Sequence, residues 1–304
     1  MNSTFLPRFG KKQIAVETLA RRYGSPPSKF ITLSDGTSAH FREYRPSDGS
    51  SGLPLVLVHG GSLSLFAWEP WVQRLRSSMH IVSVDLPGHG LTGAIADCDY
   101  SPAALAAFVD MFTRTLGLNE PFVLVGHSTG GHVAWQFALK HPKRLAGLVL
   151  IAPGGTADLG GPQGRTARLA RKLGGALLLK ALLSRARMAS SLKAIVFNPR
   201  LITPEMIERQ WDLNRRPGTF GAIIVRLRGA SFDPAMVARL KEIRQPTLIL
   251  WGRNDIVFPS SQAKLFAEAI PSVKLIVYEQ CGHWPMEELP DRSVEDLQAF
   301  LSTL

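Results

Sequence analysis

The feature that most constrains this chain is a series of short, unbroken apolar runs, each stopped by a turn of glycine or proline. They lie at residues 55–58, 81–84, 122–125 and 148–151, and further strand candidates follow at 247–251 and 274–278. Runs this short have the length of strands, and their lack of polar alternation predicts strands covered on both faces. Helical stretches at 68–77, 102–116 and 129–140 separate the first set, and others at 262–269 and 294–301 follow the later ones. Strand and helix in alternation dictate a parallel sheet with helices on its two faces. The expected fold class is therefore α/β, a mostly parallel sheet flanked by helices.

Two segments depart from that rhythm. Residues 1–29 read as an N-terminal helical extension, with a helix over 11–23 ended by Gly24 and Pro26-Pro27. Its apolar positions, Ile14, Val16 and Leu19, are too few for a membrane anchor, so it is expected to dock on the domain surface. After it, 30–33 and 39–44 flank Ser34-Asp35-Gly36 as a hairpin. The second departure begins after Ala152. Residues 153–235 open with a glycine-rich loop (Gly154, Gly155, Gly160, Gly161, Gly164) and continue as basic helical sequence. They are expected to form a helical lid inserted into a core made of 30–152 and 236–304.

Charge follows the same division. The chain carries 35 Lys and Arg against 24 Asp and Glu, a net of +11. Residues 156–234 hold 14 of the basic and 5 of the acidic groups, a net of +9. Aromatic residues in that segment (Phe197, Trp211, Phe220 and Phe232) are too scattered for a single-strand binding surface, so no nucleic-acid partner is expected. Arg165, Arg168, Arg171 and Lys172 share one side of a helix opposite Leu169 and Leu173, a pattern that also suits a peripheral membrane contact. The segregation ends at Gly174-Gly175, which favours an ordinary solvated helix. No start-site stretch of targeting type and no apolar run near 18 residues is present, so a cytoplasmic protein is expected. Cys98 and Cys281 are too few for a disulfide framework.

The chemistry-bearing stretch is Gly126-His127-Ser128-Thr129-Gly130, a G-x-S-x-G pattern between a predicted strand and a predicted helix. So sharp a reversal leaves no room for side chains at the flanking glycines. It lifts the serine hydroxyl above the sheet at a helix N-terminus, where the N–H of Thr129 faces developing negative charge. Upstream, 56–58 runs into His59-Gly60-Gly61, and Gly61 is the candidate for a second oxyanion donor because glycine lets the backbone approach closely. His59 and His89 read as loop braces. Downstream, Asp255 follows one strand and His283 the next, and loops at the carboxyl ends of neighbouring parallel strands converge.

With these residues in place, the chain resembles the α/β-hydrolase superfamily over 30–304. The resemblance rests on HGG, DLPGHG, GHSTGG, WGRNDIVFP and CGHWPMEELP at successive strand ends. It implies that Ser128 attacks a carbonyl, His283 takes its proton, Asp255 orients the imidazole, and Gly61 and Thr129 supply oxyanion N–H groups. A minority of the superfamily takes its acid from another loop, where this chain offers Asp158. No cofactor and no metal are implied, and the expected partner is a small-molecule substrate.

Subfamily marks are fewer. Haloalkane dehalogenases and epoxide hydrolases place an aspartate where this chain has Ser128, and no tyrosine lies within 153–235. Carboxylic ester hydrolysis is the leading expectation, with anionic or polar esters favoured by the lid's charge. Arg165, Arg168, Arg209, Arg215, Arg216, Arg226 and Arg228 are all eligible to bind a substrate carboxylate. Carbon–carbon hydrolysis of the meta-cleavage type is the alternative: those enzymes resemble this chain in the tryptophan after the histidine, here Trp284, and in lid arginines. His127 stands where they commonly have Asn, and their glycine–proline–glycine loop is missing. GHSTGG also resembles cofactor-free perhydrolases, and some members of the fold are non-enzymatic binding proteins.

Overall fold

The computed structural model describes residues 13–304 apart from 48, 50, 51, 96, 157–160, 173, 183 and 230–232. Eight strands form one sheet: β1 (Ser28–Thr32), β2 (Ser38–Tyr44), β3 (Leu55–Val58), β4 (Ile81–Val84), β5 (Phe122–His127), β6 (Leu145–Ile151), β7 (Thr247–Gly252) and β8 (Val273–Tyr278). Their order is β1-β2-β4-β3-β5-β6-β7-β8. The first two strands are the expected hairpin, and β2 runs antiparallel to β4. All later pairings are parallel. Every residue of β3, β4, β5 and β7 is buried, as expected of mainly apolar strands between two helical layers.

Helices supply the crossovers. α1 (Val16–Tyr23) precedes the sheet; α2 (Glu69–Leu75), α3 (Pro102–Thr115) and α4 (Thr129–Lys140) lie among the first six strands. Between β6 and β7 come α5 (Gly161–Arg171), α6 (Gly175–Leu182), α7 (Arg185–Ala194), α8 (Pro204–Leu213), α9 (Thr219–Gly229) and α10 (Pro234–Ala238). α11 (Ser261–Ala269), α12 (Pro285–Glu288) and α13 (Pro290–Leu301) complete the chain. Among the described residues, no helix is long and apolar enough to cross a membrane.

The insertion departs from expectation at its start. Gly161 and Gly164 belong to α5 rather than to a glycine-rich loop, and Gly160 lies outside the described residues. Glycine costs a helix about 1 kcal/mol relative to alanine. Burial of Ala167 and Ala170 against Phe220, Ile224 and Leu227 outweighs that cost. Arg165, Arg168, Arg171 and Lys172 are exposed, on the outer side of the helix and its end.

α1 also does more than rest on the surface. It begins at Val16, and Lys11, where the helix was expected to start, lies outside the described residues. Leu19 is fully buried with Leu65, Phe66 and Leu91 of the core and Leu213 of α8. Arg22 Nη1 and Tyr23 Oη donate to Asp212 Oδ2 at 2.6 and 2.9 Å. The N-terminal helix thus clasps the insertion to the core.

Candidate active site

Ser128 joins β5 to α4 with φ 54° and ψ −114°, a left-handed conformation that a side chain rarely adopts. Its amide donates to the Ile151 carbonyl at 2.9 Å, while its own carbonyl accepts from His132 N and Gly154 N, both at 3.0 Å. The flanking glycines make this turn possible. A Cβ at Gly126 would collide with the Gly130 carbonyl and lie 2.8 Å from Ala134 Cβ. One at Gly130 would run into the Val58 carbonyl oxygen and lie 2.6 Å from that of His59. Left-handed non-glycine residues recur nearby: Ser62, Ala152 and Gln280 all follow strand ends on this edge. Such strain costs about 1–3 kcal/mol per residue and concentrates at functional sites.

Asp255 and His283 meet, as their positions after β7 and β8 suggested. His283 Nδ1 lies 2.7 Å from Asp255 Oδ2, and both side chains are buried. The other carboxylate oxygen, Oδ1, accepts from Val257 N at 2.7 Å and Phe258 N at 3.0 Å. The acid is therefore fixed by backbone donors and aimed at the imidazole. The histidine loop is fixed in turn by Glu288, which the sequence reading did not single out, although it lies within CGHWPMEELP. Its carboxylate accepts from Gly282 N and Trp284 N at 3.0 Å, on either side of His283, and from Phe197 N of the insertion at 2.7 Å.

The remaining candidates gather between Ser128 and these loops. A Cβ on Gly60 would lie 3.2 Å from Ser128 Cβ, and one on Gly61 would lie 2.7 Å from Thr129 Oγ1. The glycine turn after β3 therefore abuts the start of α4. Thr129 opens that helix, so its N–H belongs to the first turn, where no intrahelical acceptor exists. His127 is fully buried, with Nε2 2.9 Å from the His283 carbonyl and ring centroids 4.8 Å apart. Burial and the neighbouring His283 hold it well below the usual histidine range, so it is neutral and donates through Nε2.

His59 and His89 behave as braces. His59 Nε2 accepts from Leu86 N at 3.0 Å, and its Nδ1 lies 2.7 Å from the Gly60 carbonyl. His89 Nδ1 lies 3.0 Å from the Pro87 carbonyl, and burial pushes its pKa down to about 3. Asp158, the alternative acid, lies outside the described residues. Among the described residues no cluster of three or more His, Cys, Asp or Glu side chains could hold a metal ion.

Two cavities border the insertion. The smaller, about 30 Å³, lies where the insertion meets the core and is lined by Leu63, Leu192, Ile202, Met206, Gln210 and Trp284, among others. The larger, about 360 Å³, is lined by α1, α8 and β2 residues such as Arg22, Arg42 and Glu205. None of the candidate catalytic side chains borders either cavity. The smaller one touches Trp284, the residue after His283.

Known proteins agree with this architecture. Residues 54–290 match the sequence profile of the α/β hydrolase fold family. A 2-hydroxy-6-oxo-6-phenylhexa-2,4-dienoate hydrolase from Burkholderia cepacia is 28% identical over 277 residues, covering 88% of this chain and 93% of that protein. Monoacylglycerol lipase abhd6-B from Xenopus laevis is 28% identical over 254 residues, covering 82% and 75%. A thermophilic esterase from Thermogutta terrifontis, solved with malate bound, aligns with a TM-score of 0.69 and 27% identity over 91% of this chain and 98% of its own. With the profile spanning most of its length, this chain belongs to the α/β hydrolase fold family.

Proposed function

We propose that this protein is a serine hydrolase that cleaves a carboxylic ester through an acyl-enzyme. The observation that carries the reading is the 2.7 Å pairing of His283 Nδ1 with a backbone-fixed Asp255, together with a serine in a left-handed turn at a helix start, next in the chain to the His127 that packs on His283. In this reading Ser128 attacks the ester carbonyl while His283 accepts its proton. Asp255 holds the imidazole in the required tautomer. The N–H groups of Gly61 and Thr129 take the oxyanion, and the insertion α5–α10 serves as the lid. His283 then protonates the departing alcohol, and water activated by the same base releases the acid. The lipase and esterase relatives support ester chemistry on this scaffold.

Ser128→Ala should lower turnover of p-nitrophenyl esters by several orders of magnitude with an unchanged melting curve. A fluorophosphonate should label Ser128 in the unaltered protein. Labelling at another residue, or wild-type rates in the variant, would remove the assignment.

A second reading, carbon–carbon hydrolysis of a meta-cleavage product, is favoured by Trp284, which lines the cavity directly after His283. It is favoured as well by the dienoate hydrolase relative. His127 and the missing glycine–proline–glycine loop weigh against it. Running a meta-cleavage product beside the ester panel separates the two, because only one substrate class should turn over efficiently.

A further inference from the structure

The seven arginines of the insertion that could meet a substrate carboxylate have different surroundings. Arg165 and Arg168 are exposed on α5. Arg209 reaches Glu69 at 3.5 Å and stacks on Phe66, and Arg228 donates from Nε to the Ala170 carbonyl at 2.8 Å. Arg215 Nη1 lies 4.0 Å from Asp212 Oδ1, and Arg216 Nη1 donates to the Pro217 carbonyl at 3.4 Å. Each of these four has an acidic or carbonyl partner of its own.

Arg226, on α9, is placed otherwise. Its Nη1 donates to Thr129 Oγ1 at 3.1 Å, on the residue that follows Ser128. Its Nη2 lies 2.6 Å from where a Cβ on Gly61 would stand, so the guanidinium packs against both proposed oxyanion donors. A side chain at position 61 would have to displace it or the Thr129 hydroxyl. Nε is shielded from solvent and has no hydrogen-bond partner. Among the described residues no carboxylate pairs with this group. Burial pulls its pKa down to about 10, which still leaves it charged at neutral pH. A partly buried cation without a counter-charge carries a desolvation cost, which an arriving anion would offset.

We infer that Arg226 is the specificity-determining residue of this site, binding the free carboxylate of a short-chain dicarboxylate monoester as the ester carbonyl enters between Gly61 and Thr129. The inference rests on the proposed ester chemistry for the orientation of the substrate, but the carboxylate contact itself is measurable without turnover. A guanidinium can present two parallel N–H groups to a carboxylate, and this one still has unsatisfied donors. Its position over the oxyanion donors sets the carboxylate only a few bonds from the attacked carbonyl. Short chains such as succinate therefore fit the geometry better than long ones.

The test uses the Ser128→Ala protein, titrated calorimetrically with monomethyl succinate and, separately, with dimethyl succinate. The monoester should bind at least ten-fold more tightly than the neutral diester. Arg226→Met in the same background should weaken monoester binding by about ten- to hundred-fold, the usual effect of losing a hydrogen bond to a charged group. It should also abolish the preference, and Arg226→Lys should restore part of it. Arg226→Gln serves the same purpose if the Met variant does not fold. Equal affinities for the two ligands, including no detectable binding of either, overturn the inference. So does a preference that survives in Arg226→Met or Arg226→Gln. A protein that prefers the monoester through Arg226 yet cleaves no ester keeps this subsite and loses the esterase reading. One that cleaves esters without any preference loses only the subsite.

Discussion

At the scale of single residues, the candidate site depends on pairs of side chains fixed from behind. Asp255 is the clearest case, because one oxygen is held by two backbone N–H groups and the other faces His283. Asp255→Asn can keep the first set of contacts through its amide oxygen while presenting an N–H₂ to the imidazole. The histidine must then accept at Nδ1 and carry its proton on Nε2, the wrong tautomer for a base. We expect an unchanged fold and a loss of kcat of about 10⁴, as in the analogous protease triad. Measured activity near wild type in Asp255→Asn, with loss in Asp158→Asn, would move the acid to Asp158. Ser128, Asp255 and His283 were legible in the sequence because each sits just past an apolar run, where a turn residue announces the strand end. Arg226 was legible only as one of seven. Nothing in its local sequence distinguishes it from Arg228 two positions on, since what selects it is the packing of α9 over Thr129.

At the scale of elements, the short helix α12 connects the histidine loop to the insertion. Glu288 spans Gly282, Trp284 and Phe197, whereas the adjacent Glu287 is buried. Burial pushes the Glu287 carboxyl up to about 8, reinforced by Glu69 of α2 and Glu288 and opposed by Arg209 of α8. The folded-state value lies above the unfolded one near 4.5, so the folded protein binds the extra proton. The resulting stability is fully present below about pH 4.5 and is lost as pH rises through about 8. Glu287→Gln mimics the protonated form and should melt higher than wild type at pH 8, by roughly a few kcal/mol of stability, with the two converging near pH 4.5. Parallel pH-dependent melts of the two proteins would dismiss the buried acid.

The elements themselves were largely legible. α4 runs over Thr129–Lys140 as the pattern indicated, because turn and periodicity agree there. α5 begins three residues before Gly164. The reason is tertiary, since Ala167 and Ala170 find their partners on α9, far along the chain. The clasp of α1 on α8 was invisible for the same reason, as it depends on Asp212 lying opposite Arg22 and Tyr23.

At the scale of the whole molecule, charge is distributed unevenly between the two parts that enclose the site. The insertion segment 156–234 carries +9 of the chain's net +11. Burial keeps several histidines neutral, with His89 pushed down to about 3 and His132 to about 4, so they add nothing to that field at neutral pH. Exposed groups such as Arg165, Arg168 and Lys172 act on a substrate at a distance and are screened over about 8–10 Å at ordinary ionic strength. Arg226 is partly buried and acts at contact, where salt screens it less. The two effects should therefore separate. For the anionic monoester, kcat/KM should fall as salt is raised from low to high, while that of the neutral diester stays level. Replacing Arg165, Arg168 and Lys172 together with glutamate should flatten the salt dependence of the monoester. Its preference over the diester at high salt should persist in that variant, because the contact residue is untouched. Identical salt slopes for the two esters in the unaltered protein would show that the charge of the insertion keeps it solvated and does not steer the substrate.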